Sequence, residues 1–298
     1  MMNPPPFVSV IVPVFNGEAW IDDCLSALRG QLYPADRYEI IVVDNGSTDD
    51  TRSIVAQHGV VPEVETGIRS PYAARNRALA FATGEILAFT DSDCVPAADW
   101  LDKGIGPIRR GDADMVGGEV RFMLGERPST GTLLDATINV EMRRNIESRG
   151  AAKTANLLVH RRVIGAQGPF PAAVRSGGDV AWTMAATAAG FRLVFEKSAI
   201  VQKRPRDLGA LLRKQRRVGR GHVRLWAEGG ASRPAVLLRT LTSFLPRPPW
   251  KYSRMKAARG LASVRHSAVR LWLAGWLASV ATGVGRLEGL MAREWKHR

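Results

Sequence analysis

Cysteine is scarce in this chain: Cys24 and Cys94 are the only two among 298 residues. Their positions match no metal or redox spacing, and a disulfide framework needs more pairs, so this usage indicates a reducing compartment. Free cysteine is usually buried, and we expect both side chains to pack in the interior. The N-terminus lacks the basic region and cleavage site of a signal peptide, so no secretory signal is expected.

Long apolar runs are also missing. The best membrane candidate, residues 271–285, has 15 residues between Arg270 and Arg286, fewer than the roughly 20 that a spanning helix needs. It predicts an interfacial or core-packed helix. Two nucleotide-binding motifs are absent as well: no GxGxxG follows the first predicted strand, and no GxxxxGK is followed by Ser or Thr. This argues against a dinucleotide-binding domain and against a P-loop enzyme.

Acidic residues become scarce toward the C-terminus. Residues 197–298 hold 23 Lys and Arg against 4 Asp and Glu, whereas residues 1–196 hold 19 against 24. A basic surface of this density attracts nucleic acid, anionic lipid and phosphorylated substrates alike, so charge does not choose among them. With 45% apolar and 23% charged residues, the composition is that of a folded protein.

What the chain does contain is an alternation of two periodic patterns over its first 110 residues. Apolar, β-branched runs at 7–15, 38–45 and 85–91 predict buried strands, with helices predicted at 18–31, 48–59, 71–84 and 97–110. Ser47 is the expected N-cap of the second helix. This alternation predicts an α/β fold with a Rossmann-like, mostly parallel sheet flanked by helices.

The pattern is less regular after residue 112. Strands are predicted at 113–122, 154–160 and 191–204, and helices at 132–145, 177–190 and 207–228. A Gly/Pro break near residue 230 predicts a catalytic domain over 1–230, with a nucleotide half at about 1–112 and an acceptor half at about 113–230. Residues 231–298 are predicted to form a basic helical C-terminal extension.

Polar side chains follow three of the predicted strands, at Asn16, at Asp44 to Ser47 and at Asp91 to Asp93. In parallel sheets ligands bind at the carboxyl ends of strands. Two carboxylates one residue apart are hard oxygen ligands for Mg²⁺ or Mn²⁺, and such ions are commonly shared with substrate phosphates. Taken alone, the same residues are also typical of a turn with Asp93 capping the next helix.

Four segments in order carry a family resemblance: "VSVIVPVFNGE", "IIVVDNGSTDDT", "AARNRALAFATGEILAFTDSDCVPAADWL" and "GGDVAWTMAATAAGFRLVF". Together they resemble the inverting glycosyltransferases of family 2, which have the GT-A fold, and the resemblance runs from about Val8 to Arg220. It implies metal-dependent transfer of one sugar from a nucleoside-diphosphate sugar, with UDP as the expected carrier, to a hydroxyl acceptor.

The resemblance also implies roles for single residues. Asp179 would be the general base, and Asp91 and Asp93 would hold Mg²⁺ or Mn²⁺. The nucleotide sugar would be bound by Pro13, Phe15, Asp44, Arg75, Asp91 and Ser92. From the residues themselves, we expect the basic segment with Arg216, Arg217 and Arg220 to close over the diphosphate, with Gly219 and Gly221 allowing it to move. The residues alone leave other roles open: an Asx-turn at Asp44, a solvated helix face for the arginines, and a helix N-cap at Asp179.

The chain departs from the family pattern at three places. Gly178 stands where many relatives have Glu, and Lys203 stands where a metal-binding His is common. A protonated lysine cannot bind a cation, so we expect Lys203 to contact the diphosphate or to share the work of the metal. Residues 214–222, "KQRRVGRGH", lack the QxxRW of processive synthases, which favours transfer of a single sugar.

Three further interpretations concern partners. A nucleotidyltransferase acting on sugar phosphates would have a basic Gly-rich loop where this chain has "PVFNGEAW". A nucleic-acid-binding protein would interleave aromatics with the basic residues, whereas Trp272 and Trp276 lie on an apolar stripe, so no nucleic acid is expected. Residues 250–298 fit either a peripheral contact with an anionic membrane or helices packed over the catalytic domain. The expected location is cytoplasmic, with the inner membrane face as the contact surface.

Overall fold

The computed structural model of the protein describes residues 4–292. Residues 293–298, which belong to the predicted extension and membrane-contact region, lie outside the described residues. One mixed sheet has the strand order β3-β2-β1-β4-β7-β6-β8-β5. The strands are β1 (Val8–Val14), β2 (Tyr38–Asp44), β3 (Glu63–Val64), β4 (Ile86–Thr90), β5 (Cys94–Pro96), β6 (Met115–Phe122), β7 (Asn156–His160) and β8 (Leu193–Lys203).

The helices occupy the predicted intervals and several more. They are α1 (Ile21–Arg29), α2 (Thr51–Gln57), α3 (Pro71–Leu79), α4 (Trp100–Arg109), α5 (Thr130–Ile138), α6 (Met142–Arg149), α7 (Arg161–Gln167), α8 (Gly178–Ala188), α9 (Leu208–Glu228), α10 (Arg233–Leu241), α11 (Trp250–Ala258) and α12 (Ala268–Met291). Short 3-10 helices lie at Ala35–Arg37 and Thr242–Phe244. Neither β5 nor α7 is predicted from the sequence.

Strand orientation divides the sheet into two parts. β1 runs parallel to β2 and β4, and β2 runs parallel to β3. β7 is antiparallel to both β4 and β6, and β5 is antiparallel to β8. The predicted α/β fold is confirmed, but the sheet is mixed, because the strand–helix alternation that produces parallel crossovers ends at β4.

The buried strands at the centre of the parallel part follow directly from their side chains. All seven residues of β1 and all five of β4 are buried, as expected for apolar strands covered on both faces. The register pairs Val14 of β1 with Asp44 of β2. The polar residues after these strands are therefore brought to one edge of the sheet.

Two helix predictions are wrong in detail. α2 begins at Thr51 with Asp50 at its N-cap, so Ser47 is not the cap; its hydroxyl accepts a hydrogen bond from the Asn16 amide at 2.8 Å. The single helix predicted over 132–145 is divided into α5 and α6. Val140 lies between them with φ +47°, a conformation outside the right-handed α-helix.

The described chain forms two compact units. The first comprises residues up to Arg121 with Val140–Ala173 and Gly178–Lys203, and the second comprises Phe122–Asn139, Val174–Gly177 and the residues from Arg204 onward. The predicted boundary at residue 230 remains a prediction about functional domains. The compact units instead separate the chain between Lys203 and Arg204, so that α9 belongs to the second unit.

Within the second unit α9 and α12 pack closely through glycines. A Cβ at Gly219 would overlap the Thr282 carbonyl oxygen, and one at Gly285 would overlap the Arg216 carbonyl oxygen. A Cβ at Gly221 would meet the backbone of Ser176. Gly219 and Gly221 thus allow close packing of the backbone in this structure. The movement of the basic segment that these glycines suggest from the sequence stays a prediction.

α12 is also the element that bears on a membrane. Its length and composition would allow it to cross a bilayer, and a third of its most apolar 18-residue stretch is buried inside the protein. Helices in the core of soluble proteins can have the same length and composition. The glycine contacts with α9 agree with the core-packed interpretation of this segment.

Candidate functional site

The loops after β1 and β2 are joined at the carboxyl edge of the sheet. The Asn16 amide donates to Ser47 Oγ, and the Thr48 amide donates to Asn16 Oδ1 at 3.0 Å. Asn16 adopts φ +48°, a conformation that asparagine tolerates better than most residues. The polar residues after β1 and β2 therefore lie together at this edge, as expected from the sequence.

Asp44 lies at the end of β2 and is fully buried. Its carboxylate accepts the amide of Ser47, three residues on, at 3.1 Å, rather than the amide two residues on that an Asx-turn requires, and it pairs with Arg52 Nε at 2.6 Å. The predicted contact of Asp44 with a nucleotide base stays a prediction.

The other predicted base and ribose contacts surround the same edge. Pro13 is buried within β1, whereas the Phe15 side chain is 48% exposed. The Arg69 guanidinium carbon lies 5.4 Å from the centre of the Phe15 ring, within cation–π distance. Ser92 is half-buried between the two acidic residues of the loop after β4. Roles of these three residues in nucleotide binding stay predictions.

Asp91 and Asp93 meet a lysine between them. Lys203 Nζ lies 3.1 Å from Asp91 Oδ2 and also contacts Asp93 Oδ1, and its side chain is 2% exposed. Arg75 Nη2 pairs with the other oxygen of Asp91 at 2.7 Å, and Arg75 is 3% exposed. Arg75 is thus not a solvated arginine on a helix face. Two buried cations offset the repulsion between the two carboxylates.

The same carboxylates could hold a metal ion. Ligand atoms of Asp91, Asp93 and Cys94 all lie within 4.8 Å of one another. The carboxylate oxygens suit Mg²⁺ or Mn²⁺, whereas burial raises the pKa of the Cys94 thiol to about 12, which keeps it protonated and a poor ligand. The donor set fits a hard divalent ion on the two aspartates, provided that Lys203 Nζ moves away.

Asp179 lies in the first turn of α8, which begins at Gly178. Its Oδ1 accepts the Tyr72 hydroxyl at 2.9 Å, and its Oδ2 accepts the Thr154 amide at 3.3 Å and the Thr154 hydroxyl at 3.4 Å. The residue is half-buried. Because its carboxylate bonds to residues of other elements, the simple N-cap interpretation does not describe it.

Residues of helix α3 bond to both Asp179 and Asp91. Ser70 caps the helix by accepting the Tyr72 amide at 3.2 Å, and Pro71 occupies its first turn. From this fixed start, Tyr72 reaches Asp179 and Arg75 reaches Asp91. Burial and the nearby Asp179 carboxylate raise the pKa of Tyr72 well above its usual value, so its hydroxyl remains a hydrogen-bond donor.

The predicted arginines of α9 lie in the second unit. Arg220 Nε pairs with Glu288 Oε2 at 2.5 Å, and Arg216 Nε pairs with Glu288 Oε1 at 2.7 Å. Arg217 belongs to the same helix. Arg216 and Arg220 therefore link α9 to α12, and contacts of Arg217 and Arg220 with a diphosphate stay predictions.

Three residues of the site were not foreseen. Tyr72 and Thr154 hold Asp179, and Cys94 touches Lys203 Nζ at 3.4 Å. Tyr72 precedes Arg75 by three residues, a spacing that places both on one side of a helix. That spacing is the signal that could have found Tyr72, whereas Thr154 carries no local signal.

Comparison with known proteins bears on the whole chain. Residues 9–161 match the family model described as glycosyl transferase family 2. Glycosyltransferase AglE of Haloferax volcanii is 38% identical over 97% of this chain and 98% of its own length. A match of this extent covers both compact units.

Two solved structures share the fold. The mannosyltransferase PcManGT from Pyrobaculum calidifontis, in complex with GDP-Man and Mn²⁺, has a TM-score of 0.62 at 23% identity, covering 96% of this chain and 88% of that one. A fragment of Staphylococcus aureus TarS with UDP-GlcNAc has a TM-score of 0.56 at 20% identity, covering 95% and 91%. These likenesses confirm the GT-A fold. The match to the family model and the 38% identity with AglE over nearly the full length of both chains show that the chain belongs to glycosyl transferase family 2.

Proposed function

We propose that the protein transfers a single sugar from a nucleoside-diphosphate sugar to a hydroxyl acceptor with inversion at the anomeric carbon. The acceptor oxygen forms a bond to that carbon while the bond to the diphosphate oxygen breaks. The electron pair of the broken bond leaves with the nucleoside diphosphate, and the proton of the acceptor hydroxyl passes to the Asp179 carboxylate. Attack from the face opposite the leaving group accounts for the inversion.

The observation that carries this proposal is the arrangement around α3. One capped helix bonds to Asp179 through Tyr72 and to Asp91 through Arg75. A transferase of this kind needs a base for the acceptor and a cationic site for the leaving group at a fixed separation, because misplacement of either group raises the barrier. A rigid helix that contacts both groups meets this need.

The proposed base is oriented by its partners. The Tyr72 hydroxyl and the Val180 amide donate to Oδ1, and the Thr154 amide and hydroxyl donate to Oδ2. Both lone pairs of each oxygen are therefore engaged, and an acceptor hydroxyl must displace one of these bonds, of which the 3.4 Å bond from the Thr154 hydroxyl is the longest. Asp179 is also half-exposed, as a residue that meets an incoming acceptor must be. Proton removal by a positioned base of this type typically contributes about 10²–10⁴-fold to the rate.

The donor diphosphate is assigned to the part of the site beside Arg75. Arg75 Nε is buried and has no hydrogen-bond acceptor among the described residues, so it retains a donor that a phosphate oxygen can satisfy. Pro13, Phe15, Asp44 and Ser92 are assigned to the nucleoside. Arg217 and Arg220 are assigned to the diphosphate, as expected from the sequence.

A divalent ion, Mg²⁺ or Mn²⁺, is the proposed cofactor. Asp91 and Asp93 would hold it. When bound, the ion offsets the charge that develops on the leaving diphosphate. The Mn²⁺ in the solved mannosyltransferase supports this proposal.

UDP is the proposed carrier and the transfer is proposed to be non-processive. The UDP-GlcNAc bound to TarS favours a uridine nucleotide, whereas the GDP-Man of the mannosyltransferase is the alternative that a binding screen must include. The absence of QxxRW from residues 214–222 supports release after one addition.

A peripheral contact with an anionic membrane on its cytoplasmic side is proposed for residues 250–298. Trp250 and Val269 are each more than 60% exposed, in a region rich in arginine. Replacing Trp250 and Val269 by Asp should abolish co-sedimentation with vesicles containing anionic lipid. Leu32→Asp, at an equally exposed site of the first unit, should leave it intact, and equal pelleting of all three proteins would contradict the contact.

Calorimetry with UDP, GDP and ADP, each with and without Mn²⁺, tests the donor site. We expect UDP to bind, with higher affinity when Mn²⁺ is present. Binding of none of the nucleotides would contradict the proposal, and a preference for GDP would overturn the choice of UDP.

Release of nucleoside diphosphate from the matching sugar nucleotide tests the base. Asp179→Asn should lower turnover by about 10²–10⁴-fold while the nucleotide affinity stays unchanged. Asp102→Asn, on the exposed side of α4, is the matched control and should behave as the wild type. Full turnover by Asp179→Asn would remove that residue from the mechanism.

A further inference from the structure

Lys203 is positioned by the backbone of the sheet. It is the last residue of β8, and the antiparallel register pairs it with Cys94 of β5. β5 starts directly after Asp93, so this pairing places the lysine side chain beside the acidic loop. The Nζ atom contacts Asp91, Asp93 and the Cys94 sulfur, and the side chain is 2% exposed. Such burial distinguishes Lys203 from a lysine that swings freely over a surface.

The formal charges of these four side chains, Asp91, Asp93, Lys203 and Arg75, sum to zero without a metal ion. Asp91 and Asp93 carry two negative charges, and Lys203 and Arg75 carry two positive charges. A divalent ion that entered this largely buried group would add two uncompensated charges and would face the lysine at close range. The ion can bind well only if Lys203 leaves the carboxylates or if new negative charge arrives.

We propose that Lys203 is a resident cation of the Asp91–Asp93 pair that excludes a divalent ion until a diphosphate binds. The diphosphate brings the negative charge that balances the ion, and it gives the displaced ammonium a new anionic partner. The three N–H donors of an ammonium group suit phosphate oxygens. Metal and nucleotide then bind as a unit, and the affinity of each depends on the other.

This inference rests on the proposed function for the identity of the diphosphate, but its first test does not. Binding of Mn²⁺ alone is measured by electron paramagnetic resonance of the free ion, in the wild type and in Lys203→Met, which keeps the chain length and removes the charge. We expect the variant to bind Mn²⁺ at least about tenfold more tightly, because a close like charge is gone. Lys197→Met is the matched control, since Lys197 lies on the same strand and is exposed; it should bind as the wild type does.

Coupling to the nucleotide is the second test. UDP should raise the Mn²⁺ affinity of the wild type by at least about tenfold and should raise that of Lys203→Met much less, because no cation remains to be displaced. Equal Mn²⁺ affinity of the wild type and Lys203→Met would overturn the proposal. Tight binding of Mn²⁺ to the wild type that UDP does not change would overturn it too.

Folding of the variant is checked by its thermal unfolding midpoint. Without Lys203 the Asp91 and Asp93 carboxylates repel each other more strongly, so Lys203→Met should have a lower unfolding midpoint than the wild type. Added Mn²⁺ should raise the midpoint of the variant more than that of the wild type. If Lys203→Met does not fold, Lys203→Gln takes its place. The effect of UDP on the Mn²⁺ affinity of the wild type tests the proposal without any variant. Failure of UDP to bind in any condition would contradict the proposed function, while the comparison with Mn²⁺ alone would still decide the role of Lys203.

Discussion

The Tyr72 hydroxyl donates a hydrogen bond of 2.9 Å to the Asp179 carboxylate, although 107 positions separate the two residues in the chain. Tyr72 is buried on α3, and Asp179 is half-buried in the first turn of α8. The bond is charge-assisted, and such bonds are about twice as strong as neutral ones. It therefore fixes the orientation of the proposed base against a helix from a distant part of the chain.

Tyr72→Phe removes this bond and keeps the aromatic packing with Phe170, whose ring centre lies 6.2 Å away. We expect kcat to fall by about tenfold, because the loss of one hydrogen bond to a charged group is worth about 1.5–3 kcal/mol and is only partly felt in the transition state. The KM for the donor and the unfolding temperature should change little. Steady-state kinetics and differential scanning fluorimetry measure these quantities.

Tyr38→Phe is the control for that experiment. Tyr38 also donates a hydroxyl hydrogen bond, to the Leu28 carbonyl at 3.1 Å, but it stands at the start of β2, away from the carboxyl edge. Turnover by this variant should equal that of the wild type. Equal rates for all three proteins would show that Tyr72 does not position the base.

Arg75 and Arg77 offer a second matched pair on α3. Arg75 is 3% exposed and bonds to Asp91, whereas Arg77 is 45% exposed and bonds to Glu63. Arg75→Met should weaken UDP binding by about ten- to hundredfold, since a buried charge-assisted contact is lost. Arg77→Met should leave the affinity unchanged. Calorimetric titration with UDP measures both values, and equal affinities would place Arg75 outside the donor site.

The parts of the fold that the sequence predicts are those whose signals are local. The apolar runs of β1 and β4 and the Ser-Pro start of α3 each carry their own physical cause, burial on both faces in one case and capping in the other. The turn at Val140 has no such signal. A β-branched residue at φ +47° is unfavourable by itself and is imposed by its surroundings.

In the candidate site, too, only the residues with local sequence signals can be predicted. Asp91, Asp93 and Asp179 can be named from motifs, but the partners that hold them come from distant segments. Lys203 reaches the acidic pair only because β5 and β8 share an antiparallel register. β5 has three residues and no periodic pattern, so the residues alone do not indicate this strand pairing. Only the family resemblance placed Lys203 near the metal site.

Asn156 joins several elements of the first unit through its side chain. Its Oδ1 accepts the Trp100 indole N–H at 2.8 Å, and its Nδ2 donates to the Glu119 and Ala199 carbonyls at 2.9 Å each. The side chain is fully buried. Asn156 therefore ties α4 and the strands β6, β7 and β8 together.

Asn156→Ala leaves buried donors and acceptors without partners. We expect the free energy of unfolding to fall by about 3 kcal/mol, since each such group costs about 1–3 kcal/mol. Gln57→Ala, on the exposed face of α2, should stay within about 0.5 kcal/mol of the wild type. Urea denaturation followed by tryptophan fluorescence measures the difference, and a loss equal to that of the control would contradict the role of Asn156.

Glu288 gives the second unit a contribution to stability that depends on pH. Hydrogen bonds from Arg216, with those from Arg220, lower the pKa of Glu288 from 4.5 to about 2. Because the folded state binds the proton less readily than the unfolded state does, the contribution is complete above about pH 4.5. It is lost as the pH falls toward 2.

Glu288→Gln should therefore lower the free energy of unfolding at pH 7 by up to about 1 kcal/mol, since both arginines are largely exposed and solvent weakens the pairs. At pH 3.5 the difference between variant and wild type should be smaller. Urea denaturation at the two pH values measures it, with Glu147→Gln, from an exposed pair with Arg143, as the control that changes less at pH 7. A difference that grows on acidification would mean that Glu288 is not held in its charged form by α9.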